Sequence, residues 1–136
     1  MLLLAGSDLA QSHWEKELIT WIGNHDQGIY GLGIVGFDID QIAWQVSEFE
    51  PQKTFLLRVI DTARQRHRWD VLDYDPPYVA DHLLEFRKLV SAYNAEMVDS
   101  DKNWDWFAEP DPHAEFVKCP QHQVYEHVNG CAICND

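Results

Sequence analysis

The chain has 136 residues, the size of a single domain, and 46% of them are hydrophobic, including six tryptophans. This content of core-forming side chains excludes an intrinsically disordered chain, in which aromatic residues are scarce. Ten Lys and Arg residues against 23 Asp and Glu residues give a formal net charge of −13. Because this charge repels phosphate backbones and anionic lipid head groups, we expect no direct nucleic-acid binding, no membrane binding and an attraction to basic proteins.

No stretch of the sequence approaches the roughly 20 consecutive apolar residues of a membrane-spanning helix. The opening segment 1–5 is apolar, but it lacks the basic flank and the length of a signal peptide. We therefore expect a cytoplasmic protein. Its three cysteines all lie in the C-terminal segment 119–136. An odd number of clustered cysteines favours a metal site in a reducing compartment over a disulfide framework.

The first predicted helix begins at a capping box, in which Ser12 and Glu15 stand three residues apart. Apolar side chains then recur at helical spacing, and Gly23 ends the helix after about three turns. A second capping-box pattern opens a helix predicted over 38–49. Between them, the apolar and glycine-rich segment 28–37 is predicted to be a buried turn or a short extended stretch.

Two further helices are predicted after residue 50. Pro51 suits the first position of the third helix, whose apolar stripe runs to Ala63. Prolines and spaced aspartates over 70–77 form a connection, and the fourth helix runs from Val79 to about Met97. The predicted fold class is therefore mainly α, a four-helix single domain with a small C-terminal zinc-knuckle hairpin.

We divide the chain into three parts by composition. Residues 1–98 form the helical body, and residues 99–118 form an acidic, aromatic loop segment without a regular hydrophobic period. Residues 119–136 form a zinc-knuckle tail that is predicted to pack on the body.

The tail holds two pairs of potential metal ligands. Cys119 and His122 are separated by two residues, as are Cys131 and Cys134. Ligands at this spacing form a knuckle whose turn directs both donors at one ion, and two knuckles complete the tetrahedron that Zn²⁺ prefers. Residues 123–128 are predicted to form one strand of the hairpin that joins them. Three thiolates and one imidazole leave no open position for water, so the predicted Zn²⁺ is structural.

The alternatives to zinc are a disulfide with a spare thiol and a redox pair formed by Cys131 and Cys134. A redox pair of this spacing usually accompanies a βαβ pattern, which the sequence lacks. Zinc binding in such short motifs can be worth an apparent ~10–16 kcal/mol, enough to order a tail that has no core of its own. His127 lies between the two ligand pairs at a spacing less suited to ligation, and we expect it to be exposed.

Three arginines lie close together over 64–68 and could contact nucleic acid. We favour intramolecular ion pairs instead, because cations are stabilised near a helix C-terminus and acidic residues follow directly. The expected partners are Asp70, Asp73 and Asp75.

The chain from residue 98 to its last residue carries eight acidic and two basic residues. Tryptophans surrounded by acidic residues are typical of an interface that docks a basic protein, since the aromatic rings anchor it and the acids steer association. The predicted partner-binding residues are Asp99, Asp101, Trp104, Asp105, Trp106, Glu109 and Asp111. As alternatives, the rings fill the core, or the acidic surface is formed by Asp70, Asp73, Asp75 and Asp81.

A small acidic chain with no catalytic constellation and an acidic face fixed by a zinc site resembles the bacterial immunity proteins, which are antidotes made beside secreted polymorphic toxins. The stretch from Trp14 to Phe55 is similar to the small acidic immunity proteins paired with LXG-type toxins. The resemblance implies tight binding to a basic toxin domain such as a nuclease, with acidic side chains in place of substrate phosphates. It implies an antitoxin and no enzyme.

Two other functions remain open from the sequence. One is a zinc-stabilised adaptor or regulatory protein without a toxin partner. The other is a metal-dependent phosphohydrolase that uses His25 and Asp26, with His67, Asp81 and His82 as further potential ligands.

Overall fold

The computed structural model describes residues 2–25, 39, 42, 44–71, 79–98, 116–126, 131 and 133–134. The described residues form four α-helices: α1 (Leu2–Leu9), α2 (His13–His25), α3 (Phe49–Arg64) and α4 (Val79–Ala92). Short 3-10 turns cover Val46–Glu48, Trp69–Val71 and Ala95–Met97. Within the described ranges no strand is formed, so the mainly α fold class is confirmed.

Helix α1 was not predicted, because its sequence has no alternation of apolar and polar faces. The stretch from Leu2 to Ser7 is buried on every side. Gly6 allows α1 to lie close to α2, since a Cβ atom on Gly6 would lie 2.6 Å from Cγ1 of Ile19. Although α1 is apolar, no helix in the described part of the chain is long and apolar enough to cross a membrane.

The predicted capping box at the start of α2 is confirmed. The hydroxyl of Ser12 accepts a hydrogen bond from the backbone N–H of Glu15 at 3.2 Å, and the carboxylate of Glu15 accepts from the N–H of Ser12 at 3.0 Å. The predicted end at Gly23 is wrong, since α2 continues to His25. A glycine costs only about 1 kcal/mol inside a helix, and the buried apolar face of α2 outweighs that cost.

The predicted helix over 38–49 is wrong. The backbone of Gln45 is extended, with φ −102° and ψ 120°, and α3 begins only at Phe49. The buried side chain of Gln52 holds this extended stretch: its Oε1 accepts from the backbone N–H of Gln45 at 2.9 Å, and its Nε2 donates to Oε1 of Gln45 at 3.0 Å. This tertiary contact outweighs the local helical pattern.

The third and fourth predicted helices are present with shifted ends. Pro51 lies in the first turn of α3, where a backbone N–H has no helical partner to lose. Helix α4 begins at Val79 as predicted but ends at Ala92 rather than near Met97. Asn94 ends it, because its backbone is extended and its side chain accepts from the N–H of Glu96 to cap a short 3-10 turn.

Helices α3 and α4 pack antiparallel through two polar contacts. Lys53 near the start of α3 donates to the carbonyls of Ser91 and Tyr93 at 2.9 Å each, and so satisfies acceptors that the end of α4 leaves open. Near the other end of α3, Arg87 Nε donates to Oδ1 of Asp61 at 2.7 Å.

All four helices share one hydrophobic core with the C-terminal segment. The ring of Trp44 is buried in this core, and its centroid lies 5.1 Å from that of Phe49 and 5.7 Å from that of Tyr93. Val124 and Tyr125, only 0% and 5% exposed, belong to the same cluster of buried side chains. The C-terminal segment therefore contacts the helical core, while the three-part division of the chain stays a prediction.

Candidate metal centre

The structure brings the four predicted metal ligands together. Nδ1 of His122 lies 3.5 Å from Sγ of Cys131 and 3.2 Å from Sγ of Cys134. Sγ of Cys119 lies 3.8 Å from the same nitrogen and 3.7 Å from Sγ of Cys134. All the ligand atoms lie within 4.8 Å of one another, close enough to bind one metal ion.

These distances fit a tetrahedral ion. Bond lengths of about 2.3 Å to sulfur and about 2.0–2.1 Å to nitrogen place two sulfurs about 3.8 Å apart, and a sulfur about 3.6 Å from a nitrogen. The distances around His122 scatter about these values. A disulfide would need sulfurs about 2.05 Å apart, whereas all three cysteines are free thiols. The disulfide alternative is therefore not present in this structure.

A tight turn presents the first ligand pair. The backbone N–H of Gln123 donates to the carbonyl of Cys119 at 2.8 Å, and the N–H of Cys119 donates to the carbonyl of Val124 at 2.9 Å. Beyond the turn, Lys118 and Tyr125 form an antiparallel bridge. This bridge is isolated, so a hairpin of two strands is not shown among the described residues.

Electrostatics distinguish two of the thiols. The backbone N–H groups of His122 and Gln121 donate to the sulfur of Cys119 and lower its pKa to about 6. Desolvation raises the pKa of Cys134 to about 11, and the neighbouring sulfurs of Cys119 and Cys131 add to the rise. Near pH 7 the first thiol is therefore ready to bind a cation, whereas the other must lose its proton when metal binds.

The arginines over 64–68 make intramolecular contacts with described residues, and the expected pairing with Asp73 and Asp75 stays a prediction. The contacts are Arg64 with Asp61 at 3.5 Å, Arg66 with the ring of Trp69 at 5.3 Å, and Arg68 with Asp8 at 3.2 Å. Asp70 forms no ion pair with another described residue, and Asp73 and Asp75 lie outside the described residues. Asp8 is distant in sequence and could not be identified from the local charge pattern.

The predicted partner-binding residues all lie outside the described residues, and their role stays a prediction. They are Asp99, Asp101, Trp104, Asp105, Trp106, Glu109 and Asp111. His127 and the segment 28–37 also lie outside the described residues. Of the alternative acidic surface, Asp70 and Asp81 are described, and both are exposed.

The potential ligands of a phosphohydrolase are not grouped in the described part of the chain. Nε2 of His67 contacts Oδ2 of Asp8 at 2.7 Å, and the described residues contain no metal-ligand group that includes His67, Asp81 or His82. Asp26 lies outside the described residues. Among the described residues, only the Cys/His group has the geometry of a metal site.

The chain matches no protein-family model, no curated protein and no solved structure. The candidate function therefore depends on the geometry and charge of this chain alone.

Proposed function

We propose that Cys119, His122, Cys131 and Cys134 bind one structural Zn²⁺ ion, around which the tail closes as a small zinc-knuckle hairpin. The observation that carries this proposal is the set of ligand distances between 3.2 and 3.8 Å around Nδ1 of His122. Three sulfurs and one imidazole are a donor set that Zn²⁺ prefers, and they fill all four positions of its tetrahedron. No position remains for a substrate, which favours a structural role.

Two features of the site itself favour the binding of a cation. The turn at Cys119 directs two backbone N–H groups at the sulfur, which favours the thiolate over the thiol. Cys119 and Cys131 are buried residues, each only 4% exposed, so water has little access to these two ligands, whereas Cys134 is exposed. A bound zinc ion supplies the positive charge that keeps the remaining thiolates together.

Metal content tests the site directly. The purified chain should contain about one zinc per molecule by inductively coupled plasma mass spectrometry, and His122→Ala should lose most of it. His127→Ala is the matched control, because this second histidine of the tail is not predicted to be a ligand. Equal zinc contents in the two variants would contradict the assignment of His122.

We further propose that the protein is an acidic protein-binding module and, more specifically, an immunity protein that neutralises a basic toxin domain such as a nuclease. The distribution of charge supports this proposal. Nine of the ten basic residues lie in the described part of the chain, and at least seven of these contact other groups of the chain: Lys53, Arg64, Arg66, Arg68, Arg87, Lys88 and Lys118.

Several acidic side chains remain available to a partner. Exposed acids that form no ion pair with another described residue are Glu48, Glu50, Asp70, Asp81 and Glu96. The predicted partner-binding stretch adds further acids between residues 99 and 111. A surface on which several exposed acids form no ion pair with another described residue should attract a basic partner over long range, and this attraction weakens as salt rises.

Capture from an extract of the source organism tests this second proposal. The chain should retain a basic protein at low salt and release part of it at high salt. With the captured partner purified, Asp101→Lys and Asp105→Lys together should slow association and flatten its salt dependence. Asp70→Lys with Asp81→Lys is the comparison pair at the alternative acidic surface. If Asp101→Lys with Asp105→Lys leaves the association rate unchanged, the partner does not bind at these two residues. If the captured partner is not a toxin, the adaptor function is favoured.

A further inference from the structure

We propose that Arg68 is the positioning residue of the metal centre, and that it couples metal binding to helix α1 through Asp8. This inference rests on the proposed zinc site. The spacing of the metal ligands does not point to Arg68, because Arg68 lies 54 residues before His122 in the sequence.

The guanidinium of Arg68 spans the gap between the metal-binding turn and the helical body. On one side its Nη2 donates to the backbone carbonyl of His122, and its Nη1 lies 3.4 Å from the carbonyl oxygen of Gln123. On the other side Nη1 lies 3.2 Å from each carboxylate oxygen of Asp8. Arginine suits this position, because its planar fork can donate in several fixed directions at once.

The carbonyls that Arg68 contacts belong to the ligand His122 and to the residue that turns the chain after it. Gln123 has a φ of 55°, in the left-handed region that non-glycine residues seldom adopt. Such a conformation persists where surrounding contacts hold it. By fixing both carbonyls, Arg68 holds the turn in which Nδ1 of His122 faces the cysteine sulfurs.

Arg68 is itself held in an unusual backbone conformation. Its φ is 57°, and that of Arg66 is 61°, so the turn after α3 contains two non-glycine residues in the left-handed region. The side chain of Arg68 is only 23% exposed, which limits the screening of its contacts by salt. The turn thus directs a partly buried guanidinium at the metal loop.

The coupling to α1 follows from two adjacent residues near its end. Asp8 contacts Arg68, and Ser7 accepts a hydrogen bond from the backbone N–H of Tyr125 at 3.1 Å. His67 also faces Asp8, with Nε2 2.7 Å from Oδ2. A metal that binds only the ordered loop must therefore also stabilise the helix to which the loop is attached.

Metal affinity tests the positioning role. The zinc dissociation constants of wild type, Arg68→Ala, Arg68→Lys and Arg64→Ala are measured by competition with a chromophoric chelator. Arg64→Ala is the matched control, because Arg64 contacts Asp61 rather than the metal loop. We expect Arg68→Ala to weaken zinc binding about 10–100-fold, the usual effect of losing a residue that orients a ligand. Arg68→Lys should also bind more weakly than wild type, because one ammonium cannot span both sides.

The visible absorption spectrum of the Co²⁺-substituted proteins reports the geometry of the metal ligands and does not change when only the overall stability falls. A displaced His122 should shift the visible absorption bands of Co²⁺ in Arg68→Ala and leave those of Arg64→Ala unchanged. Dissociation constants within twofold of the control, together with unchanged bands, would overturn the positioning role. If Arg68→Ala does not fold by circular dichroism, the same comparison is decided by Arg68→Lys. A wild-type chain that binds no zinc would instead overturn the metal site itself.

Hydrogen exchange tests the coupling. Zinc should slow amide exchange over 2–9 in the wild type, by up to about 100-fold at free zinc 100 times its dissociation constant. The full slowing of about 100-fold is expected only if the opening of α1 that permits exchange also releases the metal. Arg68→Ala should lose most of this protection, measured with zinc at the same multiple of its own dissociation constant. Equal exchange of α1 with zinc and with chelator in the wild type would overturn the coupling.

Discussion

Ser7 and Tyr125 lie 118 residues apart in sequence and are joined by a hydrogen bond, in which the buried hydroxyl of Ser7 accepts from the backbone N–H of Tyr125 at 3.1 Å. Ser7 is a buried polar residue of α1 and is only 1% exposed. Its partner lies directly beyond the turn that carries two of the metal ligands. The first described helix thus supports the segment 116–126 near the C-terminus.

Replacing Ser7 by alanine should destabilise the protein. The variant leaves the N–H of Tyr125 buried without an acceptor, which costs about 1–3 kcal/mol. The free energy of unfolding, measured by urea denaturation with zinc present, should fall by this amount. Ser91→Ala is the matched control, because Ser91 is an exposed serine on α4 and its side chain has no such role. Equal midpoints for the two variants would show that the hydrogen bond contributes nothing.

Gly6→Ala should also destabilise the protein, although alanine is the better helix former. In an open helix this change would stabilise by about 0.5–1 kcal/mol. Here the added Cβ would lie 2.6 Å from Cγ1 of Ile19, which is fully buried, so Ile19 or α1 itself must shift. We expect a net cost of about 1–3 kcal/mol from overpacking, measured as the change in unfolding free energy.

A double-mutant cycle separates this clash from other effects of alanine at position 6. In an Ile19→Ala background the obstructing side chain is absent, so Gly6→Ala should become neutral or stabilising. A cost that persists in this background would mean that Ile19 is not what requires the glycine.

The sequence predicted those features that are encoded within a few residues. The capping box of Ser12 and Glu15 spans one turn, and the metal ligands come in pairs with two residues between them. In both cases the spacing itself brings the atoms together. Local geometry therefore made the start of α2 and the composition of the Cys/His group predictable.

Features that depend on distant contacts were missed or wrongly predicted. Helix α1 is buried on every side from Leu2 to Ser7, so it shows no amphipathic period from which a helix could be predicted. The helix predicted over 38–49 fails because Gln52 binds an extended Gln45. Arg68 could not be linked to the metal loop, since nothing near it in sequence indicates a partner 54 residues away.

The left-handed backbone at Gln123 gives a prediction about the metal-binding turn. Gln123→Gly and Gln123→Ala both remove the side chain, including its 3.2 Å hydrogen bond to the carbonyl of Pro120, so they differ only in backbone preference. Glycine adopts a φ of 55° without the steric cost that alanine meets there. The glycine variant should be more stable than the alanine variant by about 1 kcal/mol in urea denaturation. The reverse order would show that this residue is not held in the left-handed region in solution.

The ion pair between Asp61 and Arg87 predicts how stability depends on pH. The hydrogen bond from Arg87 is the largest influence and lowers the pKa of Asp61 below its usual 3.8, and Arg64 adds a smaller effect. Because the pKa of Asp61 is lower in the folded than in the unfolded state, its carboxylate stabilises the fold at pH values above the pKa of the unfolded state. This contribution is lost as the pH falls through the folded pKa. Wild type should therefore lose more stability between pH 6 and pH 3 than Asp61→Asn does.

Thermal unfolding at several pH values measures this difference, with Glu85→Gln as the control. Glu85 also contacts a basic side chain, Lys88 at 3.4 Å, but its own side chain is 69% exposed. An exposed pair of this kind contributes little, so the control should follow the wild-type pH profile. Loss of metal at low pH affects all three proteins alike, and the comparison between them isolates the carboxylate. The pKa of Asp61 can also be read directly from its carboxyl carbon by NMR, and a value at or above 3.8 would contradict the ion pair.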